Sequence, residues 1–293
     1  MRNGSLQEVR GPALLLDVHS LVHRAHHALP PMNTARGEPT AALYGFATVL
    51  VKLLRERAPA GLGLAFDAGS RRRRAIDPGY KASRRPPPPE LSAQLARIRE
   101  LPARIGAPAL VVEGEEADDV LATAARELDE AGQEVLVVSG DRDLLQLARP
   151  GVRVLFVGRR GGAHQEYDAA AVEARFGVPS RALPDLRAFL GDPADDLPGL
   201  PGVGPRIAAR WIAQHGDIAG VLACIGELEP AHLRERVAAA APRLRQVAEL
   251  GRLIDDLPLP PGPHLAEWND ATRARLRDWF DSLEFRSLVP RLG

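Results

Sequence analysis

Lysine is almost absent from this 293-residue chain: among 38 basic side chains, only Lys52 and Lys81 are lysines. Positive charge is carried by arginine, whose planar fork stays ionised and pairs bidentately with carboxylate or phosphate. Cysteine is scarcer still, with Cys224 alone. A single thiol excludes an internal disulfide and a Cys-cluster metal site, and it fits a reducing compartment. Aromatic residues make up 4% of the chain, so a core must be packed mainly from Leu, Val and Ala. No apolar run reaches the ~18 residues of a membrane span, and the apolar stretch near the start is too short for a signal peptide. Neither sign of charge is in excess, because 38 acids balance the 38 bases, and the total points to no partner. With 45% hydrophobic residues, the chain is neither disordered nor fibrous and is long enough for two subdomains. A soluble, cytoplasmic protein is expected.

What the chain does have is local imbalance. Residues 71–85, RRRRAIDPGYKASRR, hold seven basic groups against one acid, and 113–119, EGEEADD, hold five acids and no base. Further acids recur in pairs: Asp141 with Asp143, and Asp192 with Asp195 and Asp196. Any one such run is ordinarily a solvated face. Several acid pairs beside one concentrated basic segment suit a metal-dependent enzyme acting on a polyanion.

Short apolar runs that end in an acid, ALLLDV (13–18) and GLGLAFD (61–67), read as buried parallel strands. APALVVEG (107–114) and EVLVVSGDRD (134–143) repeat the pattern. Helical periodicity lies between them, over roughly 40–57, 90–101 and 117–131. Alternating strands and helices predict an α/β fold, a mostly parallel sheet flanked by helices, with its site outside the carboxyl ends of the strands. Asp17, Asp67, Asp141 and Asp143 fall there. The basic segment ends in Pro86–Pro89, an extended stretch expected to leave part of 71–89 mobile. A hairpin is expected through 158–162. From about residue 180 the chain turns helical, with segments 183–190, 205–215, 217–226, 231–250 and 271–283. Residues 11–180 are therefore expected as an α/β domain and 181–293 as a helical one.

Clustered carboxylates repel and raise one another's pKa, and a bound divalent cation relieves that repulsion. Oxygen ligands suit Mg²⁺ or Mn²⁺, and the lack of Cys clusters and of an HExxH motif argues against zinc. Two ions about 4 Å apart would stabilise both the attacking and the leaving oxygen of a phosphoryl reaction.

The motifs EADDVLA (116–122), SGDRDLLQL (139–147) and LGDPADDLPGLPGVGPRIAA (190–209), in this order, resemble the bacterial 5′→3′ exonuclease and flap endonuclease family. LLLDV (14–18), RGEPTAALYGF (36–46), AFD (65–67), YKASR (80–84) and SLEFRSL (282–288) extend the resemblance over nearly the whole chain, which looks like a stand-alone member with no polymerase following. The resemblance implies a PIN or resolvase-like sheet with a helical arch at about 71–89 and a C-terminal helix–hairpin–helix subdomain. It implies metal carboxylates at Asp17, Asp67, Glu116, Asp118, Asp119, Asp141, Asp143, Asp192 and Asp195. The first strands and EADD would mainly hold one ion, and the DRD and GDxxD elements the second, with Asp118 close to both. Asp118 and Asp141 would stand at the catalytic centre.

The resemblance also implies DNA contacts. In the arch, Tyr80 would stack on a base, Lys81 and Arg84 would contact the scissile phosphate, and Arg72 and Arg73 would add charge. In PGLPGVGPRIAARWI (198–212), the turn at Gly202 and Gly204 lets a backbone phosphate approach the following helix, near Arg206 and with a monovalent cation such as K⁺. Val18 stands where the family usually has Gly, Asp196 where it has Asn, Arg72 for a frequent Phe and Arg206 for a frequent Lys; Pro102 interrupts a usual helix. His19, His23 and His26 share one helical face but read as surface groups, Trp211 as core and Cys224 as a small buried residue.

The resulting expectation is a structure-specific 5′ nuclease. It would hydrolyse DNA at 5′ single-stranded ends, flaps and nicks in primer removal, replication and repair. RNA–DNA hybrids, a separate DNA polymerase and a ligase are its implied associates, and a nucleoid-associated monomer its implied state. Competing readings are a catalytically silent binder of branched DNA, which would gain nothing from nine self-repelling acids, and a PIN-like ribonuclease, which would not need the hairpin.

Overall fold

The computed structural model describes residues 11–158, 164–261 and 264–292. The chain opens with β1 (Gly11–Asp17), α1 (Val18–Ala28), α2 (Ala41–Arg57) and β2 (Pro59–Ala65). The basic segment follows, with a short α3 (Arg71–Ile76), and then α4 (Pro89–Ile98), α5 (Leu101–Ile105) and a two-residue β3 (Ala109–Leu110). The helix expected at 90–101 ends as α4 at Ile98, and Pro102 sits at the start of the separate α5, where its missing N–H costs nothing. After α6 (Ala117–Glu130) come β4 (Val135–Ser139), β5 (Val152–Phe156), β6 (Gln165–Tyr167) and α7 (Ala169–Phe176). Strands β5 and β6 pair antiparallel; of the hairpin expected between them, residues 159–163 lie outside the described ones.

The strand order is β3-β2-β1-β4-β5-β6, with β1 to β5 parallel. Successive side chains of a strand point to opposite faces, and this chain uses that alternation fully. Leu14, Leu16, Leu62, Leu64, Leu136 and Val138 face a core shared with α1 and α2, while Ala13, Leu15, Val135 and Val137 face one shared with α6. Both faces are covered, which is why the strands read as continuous apolar runs.

A third core belongs to α8 (Leu183–Leu190), α9 (Pro205–His215), α10 (Ile218–Ala223) and α11 (Arg234–Gly251). Trp211 is fully buried there, its ring 5.5 Å from that of Phe189 in an edge-on contact. Cys224, expected to be buried, is half-exposed at the end of α10.

The helical region does not extend to the end of the chain as 181–293 was expected to. β7 (Ala266–Glu267) returns to the sheet and pairs antiparallel with β2. α12 (Asp270–Ser282) and the SLEFRSL segment then insert Leu276, Trp279, Phe280, Phe285 and Leu288 into the core of the α/β region. With so few aromatic residues, the sheet draws its large side chains from the far end of the sequence.

Candidate active site

The parallel register brings the acids together. Leu16 pairs with Leu64 and Val138, and Asp17 with Ala65, so Asp17, Asp67 and Asp141 emerge at one level past the strand ends. Asp17 also caps α1, its Oδ1 accepting from the Ser20 amide at 3.0 Å, while Oδ2 accepts from the Ser139 hydroxyl at 2.6 Å. The loops after β2 and β3 cross at Gly69 and Gly114, both at positive φ; a Cβ on Gly69 would lie 3.0 Å from the Gly114 Cα. Only that close approach lets Asp67 Oδ1 accept from the Ala117 amide at 2.8 Å, beside Glu116 and Asp118.

Asp17, Asp67, Glu116, Asp118 and Asp141 line one cleft of about 800 Å³, together with Lys81 and Arg84. Burial pushes the Asp17 carboxyl up to about 7, aided by the charge of Asp67 and opposed by the Ser139 hydrogen bond. Burial likewise raises Asp118 well above the usual range, with Asp141 and Asp17 adding repulsion. Asp143 and Asp192 lie in a separate, smaller pocket beside Arg187. Gly191, at φ +73°, is essential to that loop, since a Cβ would fall 2.2 Å from the Gly199 nitrogen. Asp195 is buried between the two groups: burial pushes its carboxyl up, but Lys81, Arg187 and Arg84 outweigh this and hold it below the usual range.

Three expected roles must be corrected. Asp119, 0% exposed, does not face the cleft. Its Oδ1 accepts from Arg73 Nη2 at 2.8 Å and from the Ile254 amide at 2.9 Å. Arg73 is buried as its partner, also reaching Glu116 at 3.1 Å and the Leu250 carbonyl at 3.0 Å. This ion pair joins the arch to the chain beyond α11 and offers DNA nothing, because a guanidinium so enclosed cannot reach a phosphate without leaving two carboxylates unpaired. Tyr80 is also no exposed stacking platform: it is 3% exposed, its ring lies in the helical core, and its hydroxyl donates to Glu116 at 3.2 Å.

The rest of the arch is pinned over the acids. Lys81 Nζ lies 2.6 Å from Glu116, Arg84 Nη2 lies 2.7 Å from Asp195, and Ser83 donates to Asp196 through its amide and hydroxyl at 2.9 and 2.6 Å. The expected loose segment is therefore held at Lys81, Ser83 and Arg84, with Ser83 bound to Asp196, where the family usually has Asn. Arg72 is exposed on α3 beside a different hollow, near Glu249 and Asp255. At the hairpin, Gly202 has φ +86° and Gly204 has open space where a Cβ would stand. Pro205 starts α9, with Arg206 exposed next to it.

Several cleft residues lie outside the expected set. The α1 face carries His19, His23, Arg24 and His27 into the cleft, whereas His26 does not line it. His19 Nδ1 accepts from the Asp67 amide at 3.1 Å, and burial holds the imidazole below its ordinary pKa. The i, i+4, i+8 spacing of the three histidines was a legible signal, but their direction depends on how α1 leaves β1. Val18, in place of the usual Gly, is simply the buried first residue of that helix.

Comparison with known proteins agrees with this geometry. Residues 12–177 match the 5′-3′ exonuclease N-terminal resolvase-like domain and residues 178–274 the 5′-3′ exonuclease C-terminal SAM fold. The thermostable DNA polymerase I of Thermus thermophilus is 38% identical over 98% of this chain and 34% of its own length. The DNA polymerase I of Mycobacterium tuberculosis is 38% identical over 95% of this chain and 31% of its own length. The chain thus spans about a third of the length of these relatives. Among solved structures, the phage T5 D15 protein crystallised with metal ions superposes with a TM-score of 0.67 at 16% identity, covering 96% of this chain and 99% of that one. The catalytic core of Rad2 with DNA substrate gives 0.62 at 15% identity, over 97% and 93%. A mostly parallel sheet with its acids gathered past the strand ends and a helical hairpin region beside it therefore has a family: the chain belongs to the 5′-3′ exonucleases and is a nuclease.

Proposed function

We propose that the chain hydrolyses DNA phosphodiesters at 5′ flaps, nicks and single-stranded 5′ ends, with Mg²⁺ or Mn²⁺ in the acidic cleft. The observation that carries this reading is the donor set. Asp17 and Asp118 are carboxylates held in a buried place against the charge of neighbouring carboxylates, an arrangement that hard divalent cations stabilise and that a mere binder of DNA does not need. Asp17, Asp67, Glu116, Asp118 and Asp141 would hold one ion, and Asp143, Asp192 and Asp195 a second. Such ions supply Lewis acidity at the attacking and leaving oxygens.

The chain's own groups do the rest. Lys81 and Arg84, now paired with Glu116 and Asp195, are the arch cations that line the cleft and would turn to the scissile phosphate, holding its oxygens as charge builds there. The open face at Gly204 admits a duplex phosphate to the amino end of α9, with K⁺ as a fitting companion ion. Asp119 and Arg73 keep the arch attached to the helical region. The domains are read as a nuclease unit over 11–180, completed by the returning C-terminal segment, and a DNA-holding helical unit from 181. Among the described residues no helix is long and apolar enough to cross a membrane. A cytoplasmic monomer acting in replication and repair beside a polymerase and a ligase, with RNA–DNA hybrids among its substrates, fits these features.

The test is cleavage of 5′-labelled flap, nicked and single-stranded-end DNA, with Mg²⁺, with Mn²⁺ and with EDTA. Metal-dependent cleavage lost in Asp141→Asn is expected. No cleavage of any of the three by the intact protein with either metal would refute the reading.

A further inference from the structure

The acids divide into two sets, one lining the cleft and one beside Arg187 at the smaller pocket, and the surrounding chain holds them differently. The Asp17 and Asp118 carboxyls are raised by burial and by neighbouring carboxylates, and the forces opposing this at Asp17 are hydrogen bonds from Ser139 and Ser20. The other set already has a cation at its centre. Arg187, on α8 four residues before Gly191, donates through Nη1 to Asp143 and through Nη2 to Asp195, and the same Nη2 lies 2.8 Å from Asp192. Its side chain is 12% exposed. Three acids from two separate loops thus converge on one guanidinium, at the point where the DRD and GDxxD elements meet. Burial disfavours the charge on that guanidinium, but Asp143, Asp195 and Asp192 outweigh it and hold the group above its ordinary pKa. Its Nε is buried with no hydrogen-bond partner, so the group is placed by its carboxylate pairs and not by a surrounding cage.

We propose that Arg187 occupies the position of the second divalent cation, so that the free protein holds one ion tightly and admits a second only by displacing this side chain. The argument is one of charge and space. Asp143, Asp192 and Asp195 with Arg187 carry a net charge of −2, against −3 without it, and the Nη atoms stand where an ion would meet the same three carboxylates. A cation approaching this set meets a positive charge already in place and must break its ion pairs. At the cleft set Lys81 is paired with Glu116, while Asp118 remains raised by Asp141 and Asp17, so an ion there relieves repulsion. The two halves should therefore differ in affinity, with the weaker half set by Arg187. This inference rests on the metal reading of the cleft proposed above.

The experiment is a titration of the metal-free full chain with Mn²⁺, counting bound ions by calorimetry and by loss of the free-ion electron spin resonance signal. The wild-type protein should show one tight ion and a second at least about tenfold weaker, the scale on which a neighbouring unit charge shifts an ionic equilibrium. Arg187→Gln should tighten the second ion by about tenfold or more and leave the first unchanged, and adding Asp143→Asn to that variant should abolish the gain. Two ions of comparable affinity in the wild-type protein would overturn the inference and leave the metal reading intact, whatever the variant does. An unchanged second ion in folded Arg187→Gln would overturn it equally. No bound Mn²⁺ in any of the proteins would sink the metal reading and this inference with it.

Discussion

Replacing Asp17 with Asn should make the metal-free protein more stable, because the residue is held in a place that disfavours its charge. Its carboxyl is pushed up from 3.8 to about 7, by burial first and by Asp67 next. That difference of about three pK units corresponds to roughly 4 kcal/mol at a pH where the group is fully ionised. Asn keeps an acceptor for Ser20 and Ser139 but loses the charged character of those bonds, and part of the repulsion stays with Asp67 and Asp141. A net stabilisation of about 2 kcal/mol remains, roughly 3 °C in Tm for a chain of this size. The direction with pH follows from proton binding. Between about pH 4 and pH 7 the folded wild-type protein binds more protons at Asp17 than the unfolded chain, so its stability falls as pH rises through that window. Asp143, also raised to about 7 by burial and by Asp141, adds to the same slope. Asp195, held low, contributes oppositely, with stability that is lost only as pH falls below the ordinary carboxylate range. The assay is thermal melting in EDTA at pH 5.5 and 8.5, repeated with Mg²⁺. The wild-type protein should melt higher at the lower pH and gain from Mg²⁺, while Asp17→Asn should show a smaller pH difference and a smaller gain. A variant that melts at or below the wild-type temperature in EDTA at pH 8.5 would show that Asp17 bears no such strain.

Asp141→Asn should lower single-turnover flap cleavage by at least about a hundredfold while binding survives or tightens, since less negative charge then faces the phosphate; rate and gel-shift affinity together decide this. Gly202 and Gly204 changed together to Val should weaken duplex binding similarly for all sequences, and loss on some sequences only would exclude a backbone contact. Lys81→Ala should reduce the cleavage rate at saturation more than affinity, whereas Arg72→Ala, on its separate hollow, should weaken binding and flatten the salt dependence by about one counterion. Equal affinity losses with intact rates in both would make the arch a steering surface. Arg73→Met should destabilise the fold by about 3–5 kcal/mol in urea melts by leaving Asp119 buried and unpaired, and an effect under about 1 kcal/mol would show the pair to be solvent-screened.

The strands and most helices were legible from the residues because burial on both sides of a parallel sheet leaves a local mark: unbroken apolar runs ending in acids, spaced by helical periodicity. Asp17, Asp67, Asp141 and Asp143 were legible for the same reason, since a strand end is a position in the sequence as well as in space, whereas Glu116, Asp118, Asp192 and Asp195 were named through the family resemblance. Which acids face the cleft was decided only by the tertiary structure. Asp118 and Asp119 are neighbours on one helix turn, yet one lines the cleft and the other is sealed against Arg73, because α6 turns successive side chains by about 100° and one direction points inward. Arg187 carried no signal beyond a helical arginine, and its place among three acids arises because Asp143, 44 residues earlier, meets the loop that follows α8. Tyr80 and the C-terminal aromatics likewise found their cores through contacts distant in sequence. Periodicity and turn chemistry are local and survive in the one-dimensional record; ion pairing and the closing of a core depend on distances between segments, which only the folded chain sets.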